Sequence, residues 1–197
     1  MKKELLAVLL AVAMAVPVFA AKGDMSVDAK LGLGLGSSVT CFSEDWNDGK
    51  IGSKFKIDMP FMLGAEFFYG LIDNLSVGVG VNYVFDTATK MYSDIKGGTT
   101  NIYLAAKPEA KIESDIFTSI YLIGQIGLSI GRCDIGGYKP SVDTGLYLGA
   151  GLGTTIKDVV LVELIVSSSN ASFKYDIQSF DIQYNITSLN IGYKFAL

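Results

Sequence analysis

The sequence predicts an all-β fold, an eight-stranded antiparallel up-and-down transmembrane β-barrel. Three observations point there. Apolar residues alternate with glycine and polar residues in eight successive runs. Half of the residues are hydrophobic, yet beyond residue 20 no apolar stretch approaches the roughly 20 residues of a spanning helix. The connections between runs alternate between short and long, as in barrels that cross a bacterial outer membrane.

The N-terminus sets the compartment. Lys2 and Lys3 precede an apolar run from Leu5 to Val16, Pro17 ends it, and Val18-Phe19-Ala20 supplies the small-x-small pattern before Ala21. Residues 1–20 therefore read as a cleavable signal peptide, too short to anchor in a bilayer. Residues 21–197 then form one barrel domain. The residue directly after the cleavage point is Ala21, not a cysteine, which argues against a lipid-modified N-terminus. The formal net charge of −4, without a basic patch, argues against nucleic acid as a partner.

The runs follow in order. Met25, Val27, Ala29, Leu31, Leu33 and Leu35 alternate with Ser26, Asp28, Lys30 and Gly32, Gly34, Gly36. Phe61 to Tyr69 forms the second run, and Asp73-Asn74 turns the chain into the third, Leu75 to Phe85. The fourth spans Thr100 to Glu109, and Pro108 marks a bulge or strand end there because it lacks a ladder donor. The fifth is Ile120 to Ile130 and the sixth Val142 to Gly153. The seventh, Val160 to Val166, is apolar on both faces apart from Glu163, so its register is open. The last is Leu189 to Leu197. Upstream of it Phe180, Ile182, Tyr184 and Ile186 hold the opposite phase, so a bulge is expected near Thr187-Ser188.

Short turns follow Tyr69, Ile112 and Ile156; the long connections cover residues 37–58, 86–98, 132–141 and 168–178. With both termini on the short-turn side, the long loops face outward from the cell. Phe61, Tyr83, Phe85 and Tyr184 then lie near the outer rim, and Phe67, Tyr69, Tyr193 and Phe195 near the inner one. Two aromatic levels of this kind are the interfacial girdles of membrane barrels.

The same alternation could describe a secreted, lipocalin-like carrier with its apolar face inside. The character of the two faces decides against it. One face is large, aliphatic and uncharged; the other is glycine-rich with scattered charges. Glycines in water would weaken the strands for no gain. Inside an eight-stranded barrel, whose lumen is only wide enough for its own side chains, they make room for Tyr103, Tyr121, Tyr147 and the charged groups.

The closing segment Leu189-Asn190-Ile191-Gly192-Tyr193-Lys194-Phe195-Ala196-Leu197 resembles the C-terminal signal by which bacterial outer-membrane proteins are recognised for insertion, although it ends in Leu rather than Phe or Trp. Segments such as Ser119 to Gly131 and Leu146 to Gly153 are similar to strands of the small outer membrane protein β-barrel family, which includes the membrane domain of outer membrane protein A. The resemblance is one of pattern over the whole exported chain. It implies residence in the bacterial outer membrane, with outer-membrane lipids and the barrel-insertion machinery as partners. The enzymes of that barrel class rely on a histidine, and this chain has none. Ser-His-Asp arrangements and histidine-containing metal sites are excluded by the same count.

No cofactor is expected: the glycine runs 32–36 and 149–153 fit neither phosphate-loop pattern. The candidate site is the lumen. Asp28, Glu66, Glu109, Asp143 and Glu163 face Lys30, Lys107 and Lys194 across it, as a plug of ion pairs or as a weakly cation-selective path. Cys41 and Cys133, the only cysteines, can form a disulfide in an exported protein. They follow opposite strands, so their loops must fold over the mouth to bring the Cα atoms within about 7 Å. Trp46, beside Glu44, Asp45 and Asp48, is a candidate loop contact for a surface ligand or a rim-packing residue. The function expected is a non-enzymatic structural or surface-interaction barrel, with a small diffusion channel as the alternative.

Overall fold

A computed structural model describes residues 23–45, 49–89, 95–112, 114–138, 142–175 and 178–197. The expected signal peptide and Trp46 lie outside them. The strands are β1 (Met25–Asp45), β2 (Gly49–Lys56), β3 (Phe61–Ile72), β4 (Leu75–Ala88), β5 (Ile95–Lys111), β6 (Phe117–Ile135), β7 (Val142–Ile156), β8 (Val160–Tyr175) and β9 (Gln178–Ala196). β2 and β3 both pair antiparallel with β1, each strand from β3 onward pairs antiparallel with the next, and β9 closes on β1. The barrel nevertheless has eight staves, because β2 and β3 are one stave. Lys56 sits opposite Ser38 and Phe61 opposite Leu33, in unbroken register on β1. The stave is interrupted at residues 57–60, where Pro60 supplies no ladder donor.

Closure brings sequence-distant residues together. Crossing the sheet from Asp28 leads through Glu66, Gly80, Tyr103, Gly127, Tyr147, Ser169 and Tyr184 to Val39, further along β1. That offset means strands tilted by about 40° to the barrel axis, as in other small closed barrels.

The aliphatic face lies outside. Leu31, Leu63, Leu104, Leu122, Ile126, Leu152, Val166 and Ile191 are all exposed, while Asp28, Tyr103, Tyr121, Tyr147 and Glu163 are buried. This is the arrangement that lipid solvation favours and the reverse of a soluble carrier. Luminal glycines make room as expected. A Cβ on Gly80 would come within 2.6 Å of the Tyr103 ring, and one on Gly153 within 2.5 Å of the Tyr121 ring. In β8 the register is now fixed: Leu161, Glu163 and Ile165 point inward.

Four expectations change. The long connections are largely strand, since β1, β4, β6 and β8 run on to residues 45, 88, 135 and 175 before turning. Pro108 neither bulges nor ends β5: it pairs with Leu75, the ladder to β6 lapses beside it, and pairing resumes at Glu109–Tyr121. Its ring faces outward, where the missing donor costs one ladder bond.

The third change concerns β9, which carries no bulge. The register shift lies on its partner β1, between Gly34 and Gly36. Ile182, Tyr184 and Ile186 therefore share the inward phase of Ser188 and Asn190. Tyr184 consequently leaves the outer girdle, which retains Phe61, Tyr83 and Phe85. The Phe61 and Phe85 ring centroids lie 5.5 Å apart and those of Tyr83 and Phe85 4.9 Å apart. The fourth change is a second register shift, between Asp143 and Tyr147 on β7, which turns Asp143 out of the lumen.

At the inner end Tyr193 and Phe195 stack 4.5 Å apart. The inner turn between β7 and β8 needs positive φ at both Lys157 (50°) and Asp158 (59°). Primed turns of that kind match the twist of the strands they join.

Candidate functional site: a lumen filled in two layers

The inner half of the lumen is ionic. Period-2 alternation aims Asp28 and Lys30 of β1, Glu66 of β3, Lys107 of β5 and Glu163 of β8 at one axis, and barrel closure sets β8 one strand away from β1. The Lys30 ammonium sits between two carboxylates. It donates to both Glu163 oxygens at 2.7 Å and contacts Glu66 on its other side. Lys107 pairs with Asp28 at 3.0 Å, with the Phe68 and Tyr121 rings 4.1 and 4.7 Å from its ammonium. All five charged residues are 7% exposed or less.

Neutral donors complete the layer. The Tyr103 hydroxyl and the Gln125 amide each donate to Glu66 Oε1 at 2.9 Å. The Tyr121 hydroxyl donates to Glu163 Oε1 at 2.9 Å, and Tyr147 donates to Gln125 Oε1 at 2.7 Å. Two lysines against three carboxylates leave an excess negative charge, which these donors offset by hydrogen bonding. The space left between Lys30, Glu66, Tyr103, Gln125 and Asn190 is about 20 Å³, room for roughly one water.

The sequence-predicted charges thus divide. Asp28, Lys30, Glu66, Lys107 and Glu163 are brought together. Glu109 and Lys194 are half-buried toward the inner ends of β5 and β9, where Lys194 stands opposite Asp28 and Glu109 opposite Tyr121 in the ladder, and Asp143 is exposed. Asp143 was expected in the lumen because the alternation read straight through residues 143–147; the register shift there breaks that phase.

The outer half of the lumen is uncharged and holds two apolar clusters, which the alternation did not foresee, beside a neutral chain in which Ser169 donates to Asn101 and Asn101 to Thr99. Val39, Ile57, Ile182 and Tyr184 form one buried cluster, with Cys41, Phe55 and Val142 packed on it; Met62, Val84 and Ile186 form another. The opposite phase of Ile182, Tyr184 and Ile186 was the signal for this layer, and reading it as a bulge in β9 hid it. Tyr184 reaches across to the carbonyl of Arg132 on β6 at 3.4 Å.

Both cysteines are free thiols, partly buried at this mouth, and the expected bond between them is not formed. They lie beyond the outer aromatic level. Burial, with the Cys41 thiol nearby, pushes the Cys133 thiol up to about 11. On the outer surface Arg132 bonds Asp86 at 3.0 Å and stacks 4.2 Å over Tyr83, which pins the girdle.

A closed eight-stave barrel with an aliphatic exterior, aromatic rims and a filled polar interior has close relatives in form. The family model described as "Outer membrane protein beta-barrel domain" matches residues 6–196. The chain belongs to that family. Among solved structures, it is similar to the attachment invasion locus protein Ail of Yersinia pestis, at 17% identity and TM-score 0.47, covering 89% of this chain and 100% of that one. It is also similar to Neisserial surface protein A, at 15% identity and TM-score 0.49, covering 87% of this chain and 97% of that one. The outer membrane protein AlkL, determined in lipid bilayers, gives 12% identity and TM-score 0.52 over 90% of this chain and 92% of that one. No curated protein matches. At these identities the likeness to solved structures is one of fold alone; it is the family model that places the chain among outer-membrane barrels.

Proposed function

We propose that the protein is a non-conducting outer-membrane barrel without enzymatic activity, which presents its outer hairpins to a partner at the cell surface. The observation that carries this reading is the lumen, where Lys30 is clamped between Glu66 and Glu163 and an apolar layer lies above it. An ion passing through would have to break a buried pair and then cross an uncharged zone. Both steps are unfavourable in a low-dielectric interior. The carboxylates that could have served as an acid–base pair are the ones held by Lys30 and the tyrosine hydroxyls, so neither is free to take a proton from a substrate.

The outer hairpins supply the surface. β1 and β2 pair from Ser38–Lys56 out to Asp45–Gly49, beyond the aromatic level at Phe61. Export by residues 1–20 and insertion through the C-terminal strand β9 belong to the same reading, since β9 is the strand that closes the ring. The test is conductance of the refolded protein in a planar bilayer. The expected result is no steady open state. A stable, cation-selective conductance in the unmodified protein would overturn the plug and favour a diffusion channel.

A further inference from the structure

Where the register of β1 shifts beside the break between β2 and β3, the barrel wall is interrupted, and the interruption carries a site. At the register shift of β1 and the break between β2 and β3, ordinary pairing stops between Leu33–Phe61 and Ser38–Lys56. Two backbone bonds frame the gap: Gly34 N–H donates to the Pro60 carbonyl at 2.9 Å, and Ile57 N–H to the Ser37 carbonyl at 3.2 Å. Outside it lies a cleft of about 500 Å³ formed by β1, β2, β9 and Val166 of β8.

The cleft is amphipathic along the membrane normal. Leu35, Met59 and Val166, all more than half exposed, supply an apolar floor. Leu35 is next but one to Leu33, the partner of Phe61 in the outer aromatic level, so the floor begins where the hydrocarbon ends. Lys54 and Lys56 line the outer part, exposed on one face of β2. Alternate residues of a strand lie roughly 7 Å apart, close enough for two ammonium groups to share one phosphate. Among the described residues no acidic side chain lines the cleft, in a chain whose net charge is −4. Ser37, in its wall, has a buried hydroxyl with no partner among the described residues. At Gly36 an added Cβ would meet nothing within 4 Å, so the cleft is open there.

We infer that this cleft binds an anionic lipid of the outer leaflet, its acyl chains against Leu35, Met59 and Val166 and its headgroup phosphate between Lys54 and Lys56. Charge complementarity selects the headgroup, and the cleft's position at the interface selects a lipid over a soluble anion.

The test is spin-label resonance of the protein reconstituted in phosphatidylcholine vesicles, with spin-labelled phosphatidic acid or phosphatidylcholine as the probe. A preference for phosphatidic acid is expected. It should fall about five- to tenfold in the K54Q/K56Q double variant and stay unchanged in K157Q, a charge-matched control at the inner turn. Gly36→Leu, which fills the cleft and leaves both lysines, should also abolish the preference. Retention of the preference in K54Q/K56Q or in Gly36→Leu would overturn the site. So would equal loss in K157Q, which would mean diffuse surface charge. Displacement of the lipid by inorganic phosphate would reassign the lysines to a free anion. A dimer in native mass spectrometry that disappears in Gly36→Leu would reassign the cleft to a second copy. None of these readouts depends on whether the barrel conducts.

Discussion

The two halves of the lumen solve the same packing problem by opposite chemistry. The inner half is filled by Lys30, Glu66, Glu163, Lys107 and Asp28 with a shell of tyrosines; the outer half is filled by Val39, Ile57, Ile182, Tyr184 and their neighbours. In the inner half every charge is committed to a partner, so removing one group strands another. In the outer half no charge depends on a partner, and loss of an apolar side chain such as Ile182 leaves only a cavity. The lesson is that a closed barrel does not need a polar interior throughout. It needs a filled one, and polarity is confined to where the strands carry complementary charges.

The largest effect should come from breaking the ionic layer at its centre. Lys30→Met leaves Glu66 and Glu163 facing each other without a cation. Loss of a buried pair's partner costs about 3–5 kcal/mol. Urea unfolding in lipid vesicles should show that loss, whereas Glu66→Gln, which leaves Lys30 paired with Glu163, should cost clearly less. Equal effects would mean that Lys30 is not shared between the two carboxylates.

Next in size is the boundary between lumen and lipid. Val79 lines the outer face of β4 and Asn82 its luminal face, against Met62. Val79→Arg puts a charge into hydrocarbon at a cost of about 2–4 kcal/mol. Asn82→Ser keeps a small polar group in a polar interior and should be nearly silent in the same assay. The reverse ranking would place the apolar face away from lipid.

The outer layer gives a comparable or smaller effect of a different kind. Ile182→Ala should cost about 2–4 kcal/mol by opening a cavity under Tyr184. Ile182→Asp should cost more than Ile182→Ala. If Ile182 instead faced lipid, as a bulge near Thr187-Ser188 would require, Ile182→Ala would be nearly neutral.

The smallest effect on stability, and the most direct probe of the mouth, concerns the thiols. With Cys133 pushed up to about 11 by burial and the nearby Cys41, little thiolate is present near neutral pH. Maleimide labelling of the folded barrel should be slow and should quicken as pH rises toward that value. Unfolded, non-reduced protein should give two reactive thiols. A count of none would show that Cys41 and Cys133 are bonded in the exported protein.

Much of this was legible in the chain itself. The period-2 alternation carries the strand count, and the unequal character of the two faces carries the sidedness. Both follow from local geometry: successive side chains of a strand point to opposite faces, so a lipid-facing set must recur at every second residue. Lys30 and Glu66 could be assigned to the lumen on that ground alone, whereas the register of the run that carries Glu163 needed the pairing of β8 with its neighbours.

What the chain could not reveal is where the phase slips. The slip lies on β1, between Gly34 and Gly36, rather than on β9, so Ile182, Tyr184 and Ile186 stay inward, and the shift between Asp143 and Tyr147 turns Asp143 outward. A bulge on one strand and a bulge on its neighbour give the same mismatch between their sequences, so only the pairing tells them apart. The partners within the lumen depend on the same pairing. Lys30 and Glu163 are 133 residues apart and meet because β9 closes on β1 with a tilted register, a property of the whole ring rather than of any strand in it.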